Sequence, residues 1–404
     1  MTYKQVYKCR CCQSENLQEY LDLGEQPLAN AFYDGKEQQS RYPLKVNVCL
    51  NCFHNQLSIA VDSVILYKNY PYVTGISQSF RTHCQSLVQD VKDKLSTSVI
   101  HPKVLDIGCN DGTLLNCFRQ EYPDCRAVGV DPCVTSEDGV HLISGFWGKS
   151  LACSIGEKFD VITSTNSFAH VDDNEDFLKA CALVLAKDGL VVIEVPYHKN
   201  LITHLQFDTI YHEHLSYWLV APFIWLVDRC GFSIVDVVLT PIHGGSLRIW
   251  LKKERSLFHH PLVHQMVTWE YDCSLFSFDR YERFAIEVKG LKNQIEKIIG
   301  KKGKIGYGAC AKATVMLNYC DVDLDYVVDD TPQKQGKFIP GTEIPVLSPE
   351  ILKNENPGQE IVILPWNFQN EIINKIRHIR TPKQKDCYIV YQPEVKRYPL
   401  FGND

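Results

Sequence analysis

The sequence predicts an α/β protein: two Rossmann-like units behind a small cysteine-bearing segment. Three observations carry this. Residues 80–255 alternate short apolar runs with helical patterns, as in a parallel sheet with crossover helices. The alternation begins again at Lys301–Gly303 and continues to the C-terminal end. Residues 1–70 are turn-rich and carry paired cysteines. A chain of 404 residues suits two or three domains, at about 150 residues each. The expected divisions are 1–70, 71–255, 256–299 as connecting helices, and 300–404.

Composition narrows the class. Hydrophobic residues make 45% and charged residues 22%, which argues against disorder. The 48 acidic and 42 basic residues leave a charge of −6, so nucleic acid is not an expected partner. No apolar run reaches about 18 residues, so no membrane span is expected. Met1 to Cys12 shows no signal-peptide core. The 17 cysteines are an odd number, and Cys117, Cys181 and Cys230 stand singly in regular segments. Reduced thiols in a cytoplasmic protein are the expectation. A monomer or weak homo-oligomer is expected.

In the first segment, Cys9 and Cys12 form one C-x2-C pair, and Cys49 and Cys52 another. Each pair puts two thiolates on one tight turn, and two such turns make a tetrahedral S4 site. Zinc suits four thiolates. Leu23 to Tyr42 must then loop out between the pairs. Cys11 and His54 are the neighbouring competitors. A site closed by four thiolates is structural, and so small a segment needs its metal to fold.

The first α/β unit opens with the strand Lys103–Ile107, which runs into Asp106-Ile107-Gly108-Cys109-Asn110-Asp111-Gly112 before a helix at about Thr113. Glycines let a ligand approach the backbone, and the helix start offers unpaired N–H groups. The strand Arg126–Val130 ends at Asp131, an acid placed to accept both hydroxyls of a ribose. The spacing is not G-x-G-x-x-G, which weakens a dinucleotide reading. Asp106 instead suits a ligand with an ammonium group near the loop, as in S-adenosylmethionine. On these residues the sequence resembles the class I S-adenosylmethionine-dependent methyltransferases, with their D-x-G-x-x-x-G loop and ribose acid. The resemblance implies Asp106, Gly108, Asn110, Asp111, Gly112, Asp131 and Asn166 at the cofactor. It also implies a fourth strand at Phe159–Ser164, a fifth at Leu190–Val195, and a final antiparallel pair at Phe232–Thr240 and Leu247–Lys252.

Beyond the fifth strand lies Asp208-Thr209-Ile210-Tyr211-His212-Glu213-His214-Leu215-Ser216-Tyr217. Ligands of this fold bind past the carboxyl ends of the strands. Imidazole titrates near neutral pH, so His214 is a candidate general base, with Glu213 or Tyr211 to orient it. The spacing is not H-E-x-x-H, which excludes a zinc-protease reading. In the C-terminal unit, Lys304–Tyr307 reads as a strand turning through Gly306-Tyr307-Gly308-Ala309-Cys310-Ala311-Lys312 into a helix. A second strand, Tyr326–Val328, ends at Asp329. The helix start can receive a diphosphate. Pro365-Trp366-Asn367 offers a ring to stack on a base.

Taken together, the cysteine knuckles, D-I-G-C-N-D-G-T-L-L, Y-H-E-H-L-S-Y and G-Y-G-A-C-A-K are similar to those of the sugar C-methyltransferases. The resemblance implies methylation at C3 of a nucleotide-linked 4-keto-6-deoxysugar. It implies His214 as base, with Tyr211, Glu213 and His170 at the substrate and a tyrosine, Tyr70 or Tyr72, closing over it. It further implies that Gly306, Gly308, Lys312, Asp329 and Arg248 bind the sugar nucleotide. Cys310 departs from the serine common in that family. Three other readings stay open: an O- or N-methyltransferase, a nicotinamide-dependent oxidoreductase, and a zinc-containing binding protein without turnover.

Overall fold

A computed structural model of the chain describes residues 2–35, 39–67, 75, 77–133, 140–253, 260–300, 303–382 and 385–402. The chain forms two compact units, each assembled from three stretches. Met1–Gln18, Asn47–Lys199 and Leu215–Phe278 make the first; Glu19–Val46, Asn200–His214 and Asp279–Asp404 make the second. These divisions cut across the expected ones. The cysteine knuckles fall in the first unit and the loop between them in the second. The segment up to His214 belongs with the C-terminal unit. The helices expected as connectors, Pro261–Asp272 and Phe278–Ile298, are divided between the two units as well.

The first unit is built on seven strands: β1 (Lys103–Ile107), β2 (Arg126–Asp131), β3 (His141–Ser144), β4 (Phe159–Thr165), β5 (Leu185–Pro196), β6 (Ser233–Thr240) and β7 (Ser246–Lys252). Their order is β6-β7-β5-β4-β1-β2-β3. β7 runs antiparallel to β5 and β6, and the other pairings are parallel. Val104–Ile107 and Leu190–Val195 are buried throughout. That is why they read as mostly apolar runs, broken only by the buried acids Asp106 and Glu194: helices cover both faces of a parallel sheet. Ser77 caps the helix Gln78–Lys94 by accepting from the Phe80 N–H, and Asp173 caps Asn174–Val184 by accepting from Asp176.

The cysteine knuckles are integral to this unit. Tyr3–Gln5 pairs with Ile59–Val61. The buried Arg10 guanidinium donates to Asp172 at 3.0 Å and to the Leu57 carbonyl at 2.9 Å.

The second unit holds a sheet of six strands: β8 (Ile305–Tyr307), β9 (Tyr326–Val328), β10 (Val346–Leu347), β11 (Glu360–Ile363), β12 (Cys387–Val390) and β13 (Lys396–Pro399). Their order is β10-β9-β8-β11-β12-β13, parallel except for β13. The core packs Ile305, Val328, Ile361, Ile363, Ile373 and Ile376. The loop between the strands Leu17–Pro27 and Arg41–Cys49 docks on this unit. Thr314 donates to the Ala29 carbonyl at 2.9 Å, and the Phe338 N–H to that of Tyr33 at 2.8 Å. Among the described residues, no helix is long and apolar enough to cross a membrane.

Candidate active site

The β1 loop has the shape its residues suggested. Gly108, Asn110 and Gly112 all have positive φ. At Gly108 a Cβ would stand 2.4 Å from that of Ser167, so only glycine fits. Asp106 is buried and accepts from the Thr163 hydroxyl at 2.7 Å. Burial pushes its carboxyl up to about 7. Asp131 accepts from the N–H groups of Asn110 (3.1 Å) and Cys133 (2.7 Å), and burial raises it too. Asp111 accepts from Thr113 Oγ1 at 2.8 Å and from the Gly75 N–H at 2.7 Å.

Just past β4, Asn166 adopts the left-handed conformation, with its N–H on the Glu194 carbonyl at 2.9 Å. Its side-chain oxygen and nitrogen are buried without a partner among the described residues. A buried amide normally has its hydrogen bonds, so Asn166 is suited to a ligand's polar groups. Loop, acids and amide together fit S-adenosylmethionine at the carboxyl ends of β1, β2 and β4.

His170 lies in the turn after β4. Its Nδ1 is 3.1 Å from the Tyr67 hydroxyl, and burial pushes its pKa down to about 4. Tyr70 and Tyr72 lie outside the described residues. Arg248, expected at the substrate, has partners within the protein. It is buried, and its Nε donates to Glu194 at 2.5 Å while Nη1 pairs with Asp90. His83 meets the other Glu194 oxygen at 2.7 Å. Burial opposes the Glu194 charge, but His83 and Arg248 outweigh it and hold the carboxyl below the usual range. Arg248 is thus engaged in an internal ion cluster.

The four knuckle sulfurs converge. Cys9 and Cys52 Sγ are 3.6 Å apart, as are those of Cys12 and Cys49, and all four lie within 4.8 Å of one another. A tetrahedral zinc with bonds of about 2.3 Å separates its sulfurs by about 3.8 Å, so the set fits zinc and closes it off. Cys11 turns away, its thiol donating to the Pro222 carbonyl at 3.1 Å. His54 is 3.2 Å from Ser216 Oγ.

In the second unit, the His214 ring is held from both sides. Nδ1 is 2.8 Å from the Thr209 carbonyl, and Nε2 is 2.7 Å from the Tyr211 hydroxyl. A carbonyl only accepts, so Nδ1 carries hydrogen. In the neutral ring, Nε2 then accepts from the Tyr211 O–H. Glu213 points elsewhere: it is buried, accepts from the Asn30 amide at 2.9 Å, and is raised by burial.

The C-terminal glycine loop is filled by the protein itself. A Cβ on Gly306 would meet Val327, Leu324 and Leu364 within 2.9 Å, and one on Gly308 would meet Pro365 at 2.4 Å. Asp329 accepts from the Ala309 and Thr331 N–H groups at 2.7 and 2.8 Å, with the Lys334 ammonium at 3.6 Å. These three positions, expected at the sugar nucleotide, also make these contacts within the protein. Lys312 donates to Asn367 at 3.0 Å and lies 5.2 Å from the Trp366 ring. The Trp366 indole N–H donates to Asp208 at 2.8 Å. Cys310 stands at the N-cap of its helix, where the family's serine hydroxyl would be a natural cap.

The strand order and the loop of the first unit define a class I S-adenosylmethionine-dependent methyltransferase. Family models agree: a methyltransferase domain matches residues 80–237, a C-methyltransferase C-terminal domain 241–393, and a candidate zinc binding domain 9–67. C-methyltransferase NovU of Streptomyces niveus is 30% identical over 390 residues, covering 91% of this chain and 92% of that protein. The chain belongs to this C-methyltransferase family, and its cofactors are S-adenosylmethionine and zinc. A ubiquinone biosynthesis O-methyltransferase of Stutzerimonas stutzeri is 26% identical over 23% of this chain and 44% of its own length. The solved plantazolicin methyltransferase BpumL, in complex with SAH, aligns at 15% identity and TM-score 0.34 over 44% of this chain and 84% of its own.

Proposed function

We propose that the enzyme methylates C3 of a nucleotide-linked 4-keto-6-deoxysugar, and that the His214–Tyr211 pair removes the C3 proton. The observation that carries this is the tautomer of His214. The Thr209 carbonyl keeps hydrogen on Nδ1, so the Nε2 lone pair is the basic site and Tyr211 already occupies it. As the C3–H bond breaks, its proton goes to Nε2 and its electron pair spreads onto the C4 oxygen. For that lone pair to be open, the Tyr211 O–H turns from Nε2 to the C4 oxygen when substrate binds, where it meets the charge that develops. Removal of a proton next to a ketone needs both services, base and oxyanion donor. The relative that spans nearly the whole chain is a C-methyltransferase, and a carbon acceptor beside a ketone has a C–H proton that a base must remove.

In the first unit, Asp106, Asp131 and Asn166 hold the cofactor, which when bound supplies a methyl group activated by its sulfonium charge. His170, neutral at pH 7, is assigned to the substrate as a hydrogen-bonding group. Zinc keeps the knuckle folded and takes no part in proton transfer, since four thiolates leave it no open position.

The test is solvent exchange. In D2O, with no methyl donor, the wild type should place deuterium at C3 of a nucleoside-diphosphate-4-keto-6-deoxyhexose that it methylates, as read by proton NMR. Exchange that survives unchanged in His214→Gln removes His214 as the base.

A further inference from the structure

We propose that Asp208 is a positioning residue, which holds the turn carrying the His214 acceptor against the ends of β11 and β12. The proposal rests on the reading of His214 as base. Asp208 is fully buried in the short turn Phe207–Thr209. One of its carboxylate oxygens, Oδ2, receives two groups from two different strands. The Trp366 indole N–H, just past β11, donates to it at 2.8 Å. The hydroxyl of Tyr391, the residue after β12, lies 2.7 Å from the same oxygen and 2.8 Å from the Leu364 carbonyl, and its one proton serves one of these two acceptors at a time. The next side chain, Gln392, donates to the Leu205 carbonyl at 2.8 Å. The turn is therefore tied at both of its ends to the carboxyl edge of the sheet.

The residue after Asp208 is Thr209, whose carbonyl accepts from His214 Nδ1. Thr209 is fixed in turn, its hydroxyl on the Gln206 carbonyl at 2.7 Å. One peptide link thus separates the anchored carboxylate from the group that sets the His214 tautomer and ring plane. Packing alone does not explain an acid here. A buried carboxylate is costly, and apolar residues of similar volume usually stabilise as well or better. Burial does raise Asp208, while the Lys312 charge and the Tyr391 and Trp366 donors oppose that rise. What the acid adds is direction: charge-assisted bonds at set angles fix a turn more sharply than contact does.

The experiment compares Asp208→Asn, Tyr391→Phe and His214→Gln with the wild type. Each is assayed for C3 deuterium exchange and turnover of the same nucleoside-diphosphate-4-keto-6-deoxyhexose, for the pH profile of kcat, and for S-adenosylmethionine affinity by calorimetry. A misplacement of about 1 Å costs about 100-fold. Asp208→Asn should therefore slow exchange and kcat by about ten- to a hundredfold, displace the acid limb of the profile, and leave cofactor affinity within about twofold. Tyr391→Phe, which removes a single hydroxyl, should do the same more mildly. If both variants exchange at the wild-type rate while His214→Gln does not, the positioning role is wrong and the base assignment stands. If cofactor affinity and melting temperature fall while exchange per folded molecule holds, Asp208 is only structural. If His214→Gln exchanges normally, the reading beneath the proposal fails, and the proposal with it.

Discussion

The Tyr211 hydroxyl stands 2.7 Å from Nε2 of His214, on the nitrogen opposite the one engaged by the Thr209 carbonyl. The two contacts divide the ring's duties: one fixes the tautomer and the other occupies the basic lone pair. His214→Gln should lower kcat by about 10²- to 10⁴-fold, the usual contribution of a general base, with S-adenosylmethionine KM nearly unchanged. Tyr211→Phe should leave the base intact but lose an oxyanion donor, a loss of about 10²-fold or less. Steady-state kinetics on the two variants would separate the roles.

Asp106, proposed above at the cofactor, is predicted to give that site a pH dependence. Burial raises its pKa from 3.8 to about 7 in the protein without cofactor. Between those values the folded protein holds a proton that the unfolded chain has released. The stability this group contributes is full below about pH 4 and is lost as pH rises through about 7. The ammonium group of S-adenosylmethionine favours ionised Asp106. Affinity should therefore rise from about pH 6 to about pH 8, with a proton released on binding. Calorimetry in buffers of different ionisation enthalpy measures that proton, and Asp106→Asn should abolish its release.

Arg248 is predicted to matter for stability and little for the substrate. Arg248→Met leaves Glu194 a buried carboxylate deprived of its Arg partner at 2.5 Å, a loss of about 3–5 kcal/mol. Urea unfolding should show it. Substrate KM measured on the folded fraction should stay near the wild-type value; a large rise would return Arg248 to the substrate.

The zinc site predicts a stability effect without a catalytic one. Cys49→Ser should lower the bound zinc, measured by atomic emission, and lower the melting temperature. Structural zinc contributes about 10–16 kcal/mol in isolated finger peptides. That is an upper bound here, because Arg10 and Asp172 also tie the knuckle to its unit. Chelation should reproduce the fall in melting temperature.

What could be read from the sequence was what short spacing encodes. The knuckle pairs, the 106–112 loop, β1 and β9 are local patterns, and their expected bounds match those found. The contacts that were missed join residues far apart in the chain. Asn30 reaches Glu213 across 183 positions, as does Tyr391 to Asp208, and no periodicity links such pairs. Tyr67, beside His170, was missed for the same reason. At Gly306 and Gly308 the close packing against Leu364 and Pro365 was not legible, because a glycine needed for packing looks, in sequence, like one needed for a ligand. The partners of Arg248 were missed because an arginine in a strand shows its charge but not the Glu194 and Asp90 that meet it.

The most direct measurement is the position of the transferred methyl group. The purified enzyme would be incubated with carbon-13 methyl S-adenosylmethionine and a panel of nucleoside-diphosphate-4-keto-6-deoxyhexoses, and the products read by NMR. The account predicts a labelled methyl coupled to sugar C3, formed by the wild type and lost in His214→Gln. A labelled methyl on oxygen or nitrogen would contradict it.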